Sequence, residues 1–297
     1  MSKKITIMDG GMGGELKAMG APFKKPEWSA LALIEAPETV MQAHLAFVDA
    51  GAEILITNTY AIVPFHIGQE RFDKDAVTLT RDAAEITRMA ADGARHKVQV
   101  AGSLPPAFGS YRPDLFDAEK AKDIYVPLIK WQQNSIDFWL AETMSSTAEA
   151  KLLADMTKDT GKPFWLAYSL TDDVTPDQPA TLRSGESIEQ AIETALDINA
   201  DALLFNCSQP EVMAAALEIV QKSNITIPYG AYANTFPPKK KEYFANDPEN
   251  DVNMRDDITP EEYLRYAKQW VNLGATIIGG CCGIGPQHIE KLTELNK

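Results

Sequence analysis

Eight short, almost uninterrupted apolar runs recur along this chain, each followed by a longer stretch whose apolar residues repeat with helical spacing. The runs fall at 5–9, 53–60, 98–103, 138–144, 164–170, 202–207, 228–234 and 276–282. Rich in Ile, Val, Leu and aromatic residues with little alternation, they read as strands buried on both faces. The helical stretches lie at 37–50, 75–95, 118–134, 147–160, 187–198, 210–222, 260–273 and 286–295. Pro37, Pro210, Pro260 and Pro286 open four of them, and Gly51, Gly161 and Gly274 follow three, the expected asymmetry of helix ends. A parallel sheet of eight such units closes as a barrel in about 250 residues. An open doubly wound sheet fits less well. Gly10, Gly11, Gly13 and Gly14 do follow the first run, but Leu16 breaks the dinucleotide fingerprint, and no lysine–hydroxyl pair completes a P-loop. The expected architecture is α/β, a single (β/α)8 TIM-type barrel over residues 1–297. Its long loops, 105–116, 171–186 and 235–259, stand at the C-terminal face of the strands, where loops of this fold surround an active site.

Composition narrows the partners. Against 28 Lys and Arg stand 42 Asp and Glu, a formal charge of −14, which disfavours nucleic acid and anionic membranes. The one basic run, Lys239-Lys240-Lys241 beside Glu242, reads as solvated surface. No window reaches the roughly 18 apolar residues of a membrane span. The N-terminal apolar stretch 5–8 is too short for a signal peptide, so a cytoplasmic location is expected. A homo-oligomer is compatible with all of this.

Several strands end on polar residues: Asp9, Asn58 and Tyr60, Glu142, Asn206 and Cys207, Asn234, and Cys281 with Cys282. In a barrel these converge on one mouth. Cys207 and Cys281 lie 74 residues apart, outside any finger or CxxC spacing, but strands six and eight are second neighbours around a barrel. Three thiolates there would bind zinc and leave a fourth position open, as catalytic sites do. The four histidines fall on expected helices or loops, so a metal would be held by sulfur. Buried unreactive cysteines, a vicinal Cys281–Cys282 disulfide and a redox pair are the other readings of the same residues.

The segments Met8-Asp9-Gly10-Gly11-Met12-Gly13-Gly14-Glu15-Leu16, Trp28-Ser29-Ala30, Leu33-Ile34-Glu35, Pro37-Glu38, Thr57-Asn58-Thr59-Tyr60, Ala141-Glu142-Thr143, Asn206-Cys207 and Gly279-Gly280-Cys281-Cys282-Gly283 resemble, in order, the homocysteine S-methyltransferase family. The resemblance implies a zinc-dependent barrel that methylates homocysteine to methionine, with one Zn²⁺ per chain on Cys207, Cys281 and Cys282. It also implies that Glu142, with help from Asp9, receives the substrate amino group, and that the amides of Gly10 and Gly11 receive its carboxylate. Asn206, Asn58 and Asn234 are further candidate substrate contacts.

The expected donor carries its methyl on a cation, S-methylmethionine or S-adenosylmethionine, held against aromatic faces worth about 0.5–2 kcal/mol each. Trp28 and Tyr60 resemble family positions near the donor, and Tyr111 and Phe108 stand in the 105–116 loop. Two stretches depart from the family pattern: 102–114 is shortened, and 239–257 has no counterpart. They leave open betaine or a methylated folate as donor, or a homocysteine- and zinc-binding module served by a separate corrinoid protein. No Asp-x-His-x-x-Gly is present for cobalamin on this chain itself.

Overall fold

The computed structural model describes residues 4–172, 179–239, 246 and 253–297. Among these, eight strands alternate with helices: β1 (Thr6–Ile7), β2 (Ile54–Ile56), β3 (Gln99–Leu104), β4 (Phe138–Met144), β5 (Phe164–Tyr168), β6 (Ala202–Asn206), β7 (Tyr229–Ala233) and β8 (Ile277–Gly280). All paired strands are parallel, in the order β1-β8-β7-β6-β5-β4-β3-β2. The Met8–Ile54 bridge joins the two ends, with Asp9 N–H donating to the Ile54 carbonyl (2.9 Å) and Glu53 N–H to that of Ile7 (2.7 Å). The expected (β/α)8 barrel is therefore what the chain forms.

The outer layer follows the expected amphipathic stretches: α3 (Pro37–Asp49), α5 (Gln69–Asp92), α6 (Ala118–Gln132), α7 (Thr147–Thr157), α8 (Ile188–Asp197), α9 (Pro210–Ser223), α10 (Pro260–Asn272) and α11 (Pro286–Leu292). Three shorter helices do not show in the periodicity: α1 (Met12–Ala18), α2 (Ser29–Glu35) and α4 (Pro64–Ile67). Gly13 and Gly14 disguise α1, because glycine is a poor helix former. In α2, Ser29 to Leu33 are all buried, so no polar face betrays the helical period. Strand β2 is shorter than the expected 53–60 run, because Thr57 and Thr59 form a turn (Thr59 N–H to Thr57 carbonyl, 2.7 Å).

Two apolar layers result. Met8, Ile54, Ala101, Phe138, Leu140, Ala167, Ala202, Leu204, Tyr232 and Ile277 fill the barrel, while the second set packs sheet against helices. Successive residues of a strand point to opposite faces. The inward set 138, 140 therefore leads to Glu142, 202, 204 to Asn206, Tyr232 to Asn234, and 277, 279 to Cys281. Core packing and mouth chemistry share one alternation.

Candidate active site

Cys207 follows β6 directly and Cys281 and Cys282 follow β8. Their three sulfurs lie within 4.8 Å of one another, with Cys281 Sγ 2.9 Å from Cys207 Sγ and 4.0 Å from Cys282 Sγ. Among the described residues this is the one group of three or more His, Cys, Asp or Glu side chains so arranged. The donor set of three thiols suits a soft, tetrahedral ion such as Zn²⁺.

Backbone geometry brings the sulfurs in. Cys207 has φ 49°, a left-handed conformation that few non-glycine residues adopt, and it turns the chain off the end of β6. Thr143 does the same at the end of β4 with φ 60°. The Asn206 side chain clamps that turn: its Oδ1 accepts from Thr143 N–H and its Nδ2 donates to Thr143 Oγ1, both at 2.9 Å. Asn206, expected as a substrate contact, thus has both ends of its amide engaged in positioning β4.

Further donors surround Cys207. The Tyr111 hydroxyl donates to its sulfur and to its carbonyl, each at 3.0 Å, and Asn234 Nδ2 approaches the sulfur at 3.8 Å. Hydrogen bonds from Cys281 and Cys282, aided by Lys239 and Tyr111, hold the Cys207 thiol well below the ordinary range against the opposing effect of burial. Those donating thiols are correspondingly held above theirs. The trio thus gathers negative charge on one sulfur, that of Cys207.

The carboxyls come from the end of β1, next to β8, and from β4, across the barrel from it. Glu142 is 6 % exposed and accepts from Ser103 Oγ; burial pushes it up to about 7, with the Ser103 bond opposing and Cys207 adding. Asp9 Oδ2 accepts from Ile56 N–H at 2.8 Å, while Oδ1 is buried with no partner. Burial, with Glu142 nearby, raises its pKa well above the carboxylate range. Tyr232 Oη, also buried and without a partner, feels the charges of Glu142, Cys281 and Cys207. Sequence reasoning missed Ser103 and Tyr232, although the inward alternation of β7 points to Tyr232.

The glycines serve the wall between β1 and β8. A Cβ on Gly10 would meet the Ile284 carbonyl oxygen at 2.2 Å, and one on Gly11 the Cys281 carbonyl oxygen at 2.5 Å. Their smallness lets the β1 loop lie against the cysteine loop. The Gly11 amide, expected to face a substrate carboxylate, donates instead to the Ile284 carbonyl at 2.8 Å. Asn58 likewise is tied down, donating to the Ser29 carbonyl at 3.3 Å.

Aromatic residues line the rim. Trp28 (φ 49°) stands edge-on to Phe23 and His66, and its Nε1 donates to Asn246 Oδ1 at 3.3 Å. Asn246 also donates to the Phe65 carbonyl at 2.6 Å, so this one residue bridges Trp28 and Phe65. Tyr60 shares a 2.7 Å hydrogen bond with Ser110, and Phe65, unnoticed in the sequence, packs with Tyr111 on the cysteines. Around Tyr111 the outcome differs from an open cage. The Arg183 guanidinium lies 4.5 Å and the Lys239 ammonium 4.3 Å from its ring centre, so cations of the chain itself occupy it. Lys239 is 6 % exposed, which corrects its assignment to solvated surface; Lys240 to Glu242 lie outside the described residues.

Comparison with known proteins agrees with this geometry. Residues 6–295 match the family profile described as homocysteine S-methyltransferase. A selenocysteine methyltransferase of Astragalus bisulcatus is 24 % identical over 98 % of this chain and 92 % of its own. Homocysteine S-methyltransferase 1 of Brassica oleracea var. italica is 24 % identical over 97 % and 92 %. Among solved structures, the metallated form of the homocysteine methyltransferase MmuM from Escherichia coli superposes with a TM-score of 0.79 at 25 % identity, covering 99 % of this chain and 96 % of that one. Sequence profile, fold and a cysteine trio at the barrel mouth converge, and the chain belongs to the homocysteine S-methyltransferase family.

Proposed function

We propose that this chain transfers a methyl group from a cationic donor, S-methylmethionine or S-adenosylmethionine, to the thiolate of homocysteine, with Cys207, Cys281 and Cys282 holding one Zn²⁺. The observation that carries the reading is the approach of three sulfurs to within 4.8 Å at the C-terminal mouth of the barrel. A bound Zn²⁺ would supply a Lewis acid that keeps an acceptor thiol, ordinarily near pKa 8.5, deprotonated at neutral pH. The chain's own residues do the rest. Glu142 and the unpartnered Asp9 Oδ1 form an acidic wall suited to an α-ammonium group. Trp28, Tyr60 and Phe65 supply the aromatic side against which a sulfonium would rest. With acceptor and donor so held, displacement needs alignment and exclusion of water.

The test supplies zinc-loaded protein with homocysteine and one isotopically labelled methyl donor per reaction, betaine and methylfolate included, and measures labelled methionine. Label from a sulfonium donor is the expected result. Label only from betaine or methylfolate would overturn the donor assignment, and silence from all, with zinc bound, would overturn unaided transfer. Selenocysteine in place of homocysteine tests the acceptor. Cys→Ala at any of the three positions should abolish both zinc retention and turnover; a variant keeping full stoichiometric zinc would remove that residue from the ligand set.

A further inference from the structure

The three long loops, one from each of three strand ends, meet in one buried cluster above Cys207. The 105–116 loop brings Tyr111, the 171–186 loop Asp172 and Arg183, and the 235–259 loop Lys239. Asp172 is the hub. Its carboxylate pairs with Arg183 at 2.9 Å and accepts from the backbone N–H of Lys239 at 2.9 Å and of Gln209 at 3.2 Å. That fixes the Lys239 main chain while its side chain reaches inward. Nζ lies 3.5 Å from the Phe236 ring centre and donates to Tyr111 Oη at 3.1 Å, and Tyr111 in turn donates to Cys207 Sγ at 3.0 Å. An unbroken line of polar contacts runs from the ammonium to the sulfur.

The charges around it give this line a purpose. Three thiolates about a divalent ion leave one negative charge, and a bound acceptor thiolate makes it two. Buried charge without compensation is costly. Arg183 cannot compensate, since the buried carboxylate of Asp172 already neutralises it. Lys239 faces the sulfurs: burial draws its pKa down to about 8, while Cys207 and Cys282, and after them the Asp172 carboxylate, favour its charged form against the nearby Arg183.

Resting on the reading of the cysteines as metal ligands, we propose that Lys239 is a positioning residue of the sulfur centre, holding Cys207 through the Tyr111 hydroxyl and balancing the charge gathered on the thiolates. Groups that orient metal ligands from behind typically change metal affinity by about 10–100-fold when lost.

The experiment loads native protein, Lys239→Met, Lys239→Arg, Tyr111→Phe and the Lys239→Met/Tyr111→Phe double variant with zinc, and follows metal loss to a chromogenic chelator. Lys239→Met, similar in length but uncharged, should lose zinc on the order of tenfold faster. Lys239→Arg should restore much of the retention. Tyr111→Phe should show a severalfold loss, and the double variant should lose less than the product of the single effects. In turnover, Lys239→Met should raise KM for the acceptor thiol and leave KM for the donor in place, a split that mere loosening of the loop would not give. If Lys239→Met does not fold, Tyr111→Phe, which keeps the ring and its packing, decides alone. Native retention in folded Lys239→Met, or fully multiplicative effects in the double variant, would overturn the inference. Native protein taking up no metal at the cysteines would overturn the metal assignment itself and this inference with it.

Discussion

On the β6–β8 side of the mouth, Cys207 Sγ receives the Tyr111 hydroxyl, the Asn234 amide and the Cys281 thiol. At the carboxyls that follow β1 and lie on β4, Asp9 receives one donor from Ile56 and Glu142 one from Ser103, with Asp9 Oδ1 buried and unmatched. Both sides bury acidic groups at similar depth, yet Cys207 is pushed toward ionisation and the two carboxyls away from it. The difference is one of donors supplied. The sulfur wall is furnished to hold an anion by itself, whereas the carboxyl wall is short of positive charge. The ammonium group of the proposed acceptor would complete it.

The largest expected effect tests that shortage directly. In the folded chain Glu142 keeps its proton up to about pH 7, against about 4.5 for a carboxyl in the unfolded chain. A raised folded pKa means that the fold binds an extra proton between those values, so this contribution to stability is intact below pH 4.5 and is lost as the pH climbs to 7. Glu142→Gln mimics the neutral carboxyl. Relative to native metal-free protein, it should unfold with the same stability at pH 4 and gain on the order of 3 kcal/mol by pH 8, measured by urea denaturation. The same variant should weaken an acceptor bearing an α-ammonium by about a hundredfold in KM and hardly touch a des-amino thiol. Equal effects on both acceptors would break the contrast between the two walls. Glu149 is the control. It too is buried and raised to about 7, chiefly by burial, but it caps α7 through the backbone of Ser145 and Ser146. Glu149→Gln should therefore alter stability without discriminating between acceptors.

A second prediction concerns how the two walls are kept in register. Asn206, at the end of β6, fastens Thr143 beside Glu142, so one amide links the sulfur strand to the carboxyl strand. Asn206→Ala leaves the Thr143 amide buried without its acceptor and should cost about 2 kcal/mol in unfolding free energy. Thr143→Gly, added to it, should recover part of that cost, because glycine adopts φ 60° without strain. No recovery would mean that the clamp works by packing alone.

What was legible in the sequence divides along the same geometry. Strand ends were readable because the period-2 alternation that buries Phe138 and Leu140 also turns Glu142 inward, and the alternation through Ile277 turns Cys281 inward. The barrel's topology then brings β6 and β8 near each other without further information. Loop residues obey no such period. Lys239, one of three consecutive lysines, looks solvated until Asp172, 67 residues earlier, fixes its backbone. Tyr111 reads as a cage for a cation, and only the fold discloses that Arg183 and Lys239 already occupy its ring. Gly11 is a third case: its smallness is a property of sequence, but its amide's partner, Ile284, comes from the far end of the chain.

The smallest expected effect is the most exacting test of the sulfur wall. Asn234 approaches Cys207 Sγ at 3.8 Å, a long contact, while its Oδ1 accepts from Phe236 N–H at 3.1 Å and starts the loop that leads to Lys239. Two roles are therefore combined in one amide, a weak donor to sulfur and a loop anchor. Asn234→Asp retains the anchor and replaces the donor by a carboxylate, adding repulsion toward the thiolates. Asn234→Ala removes both. If donors to sulfur are what distinguish this wall, the aspartate variant should release zinc several-fold faster than native protein and faster than the alanine variant, despite its intact anchor. The reverse order would make Asn234 a loop residue and leave Tyr111 and Cys281 to account for the charge held on Cys207.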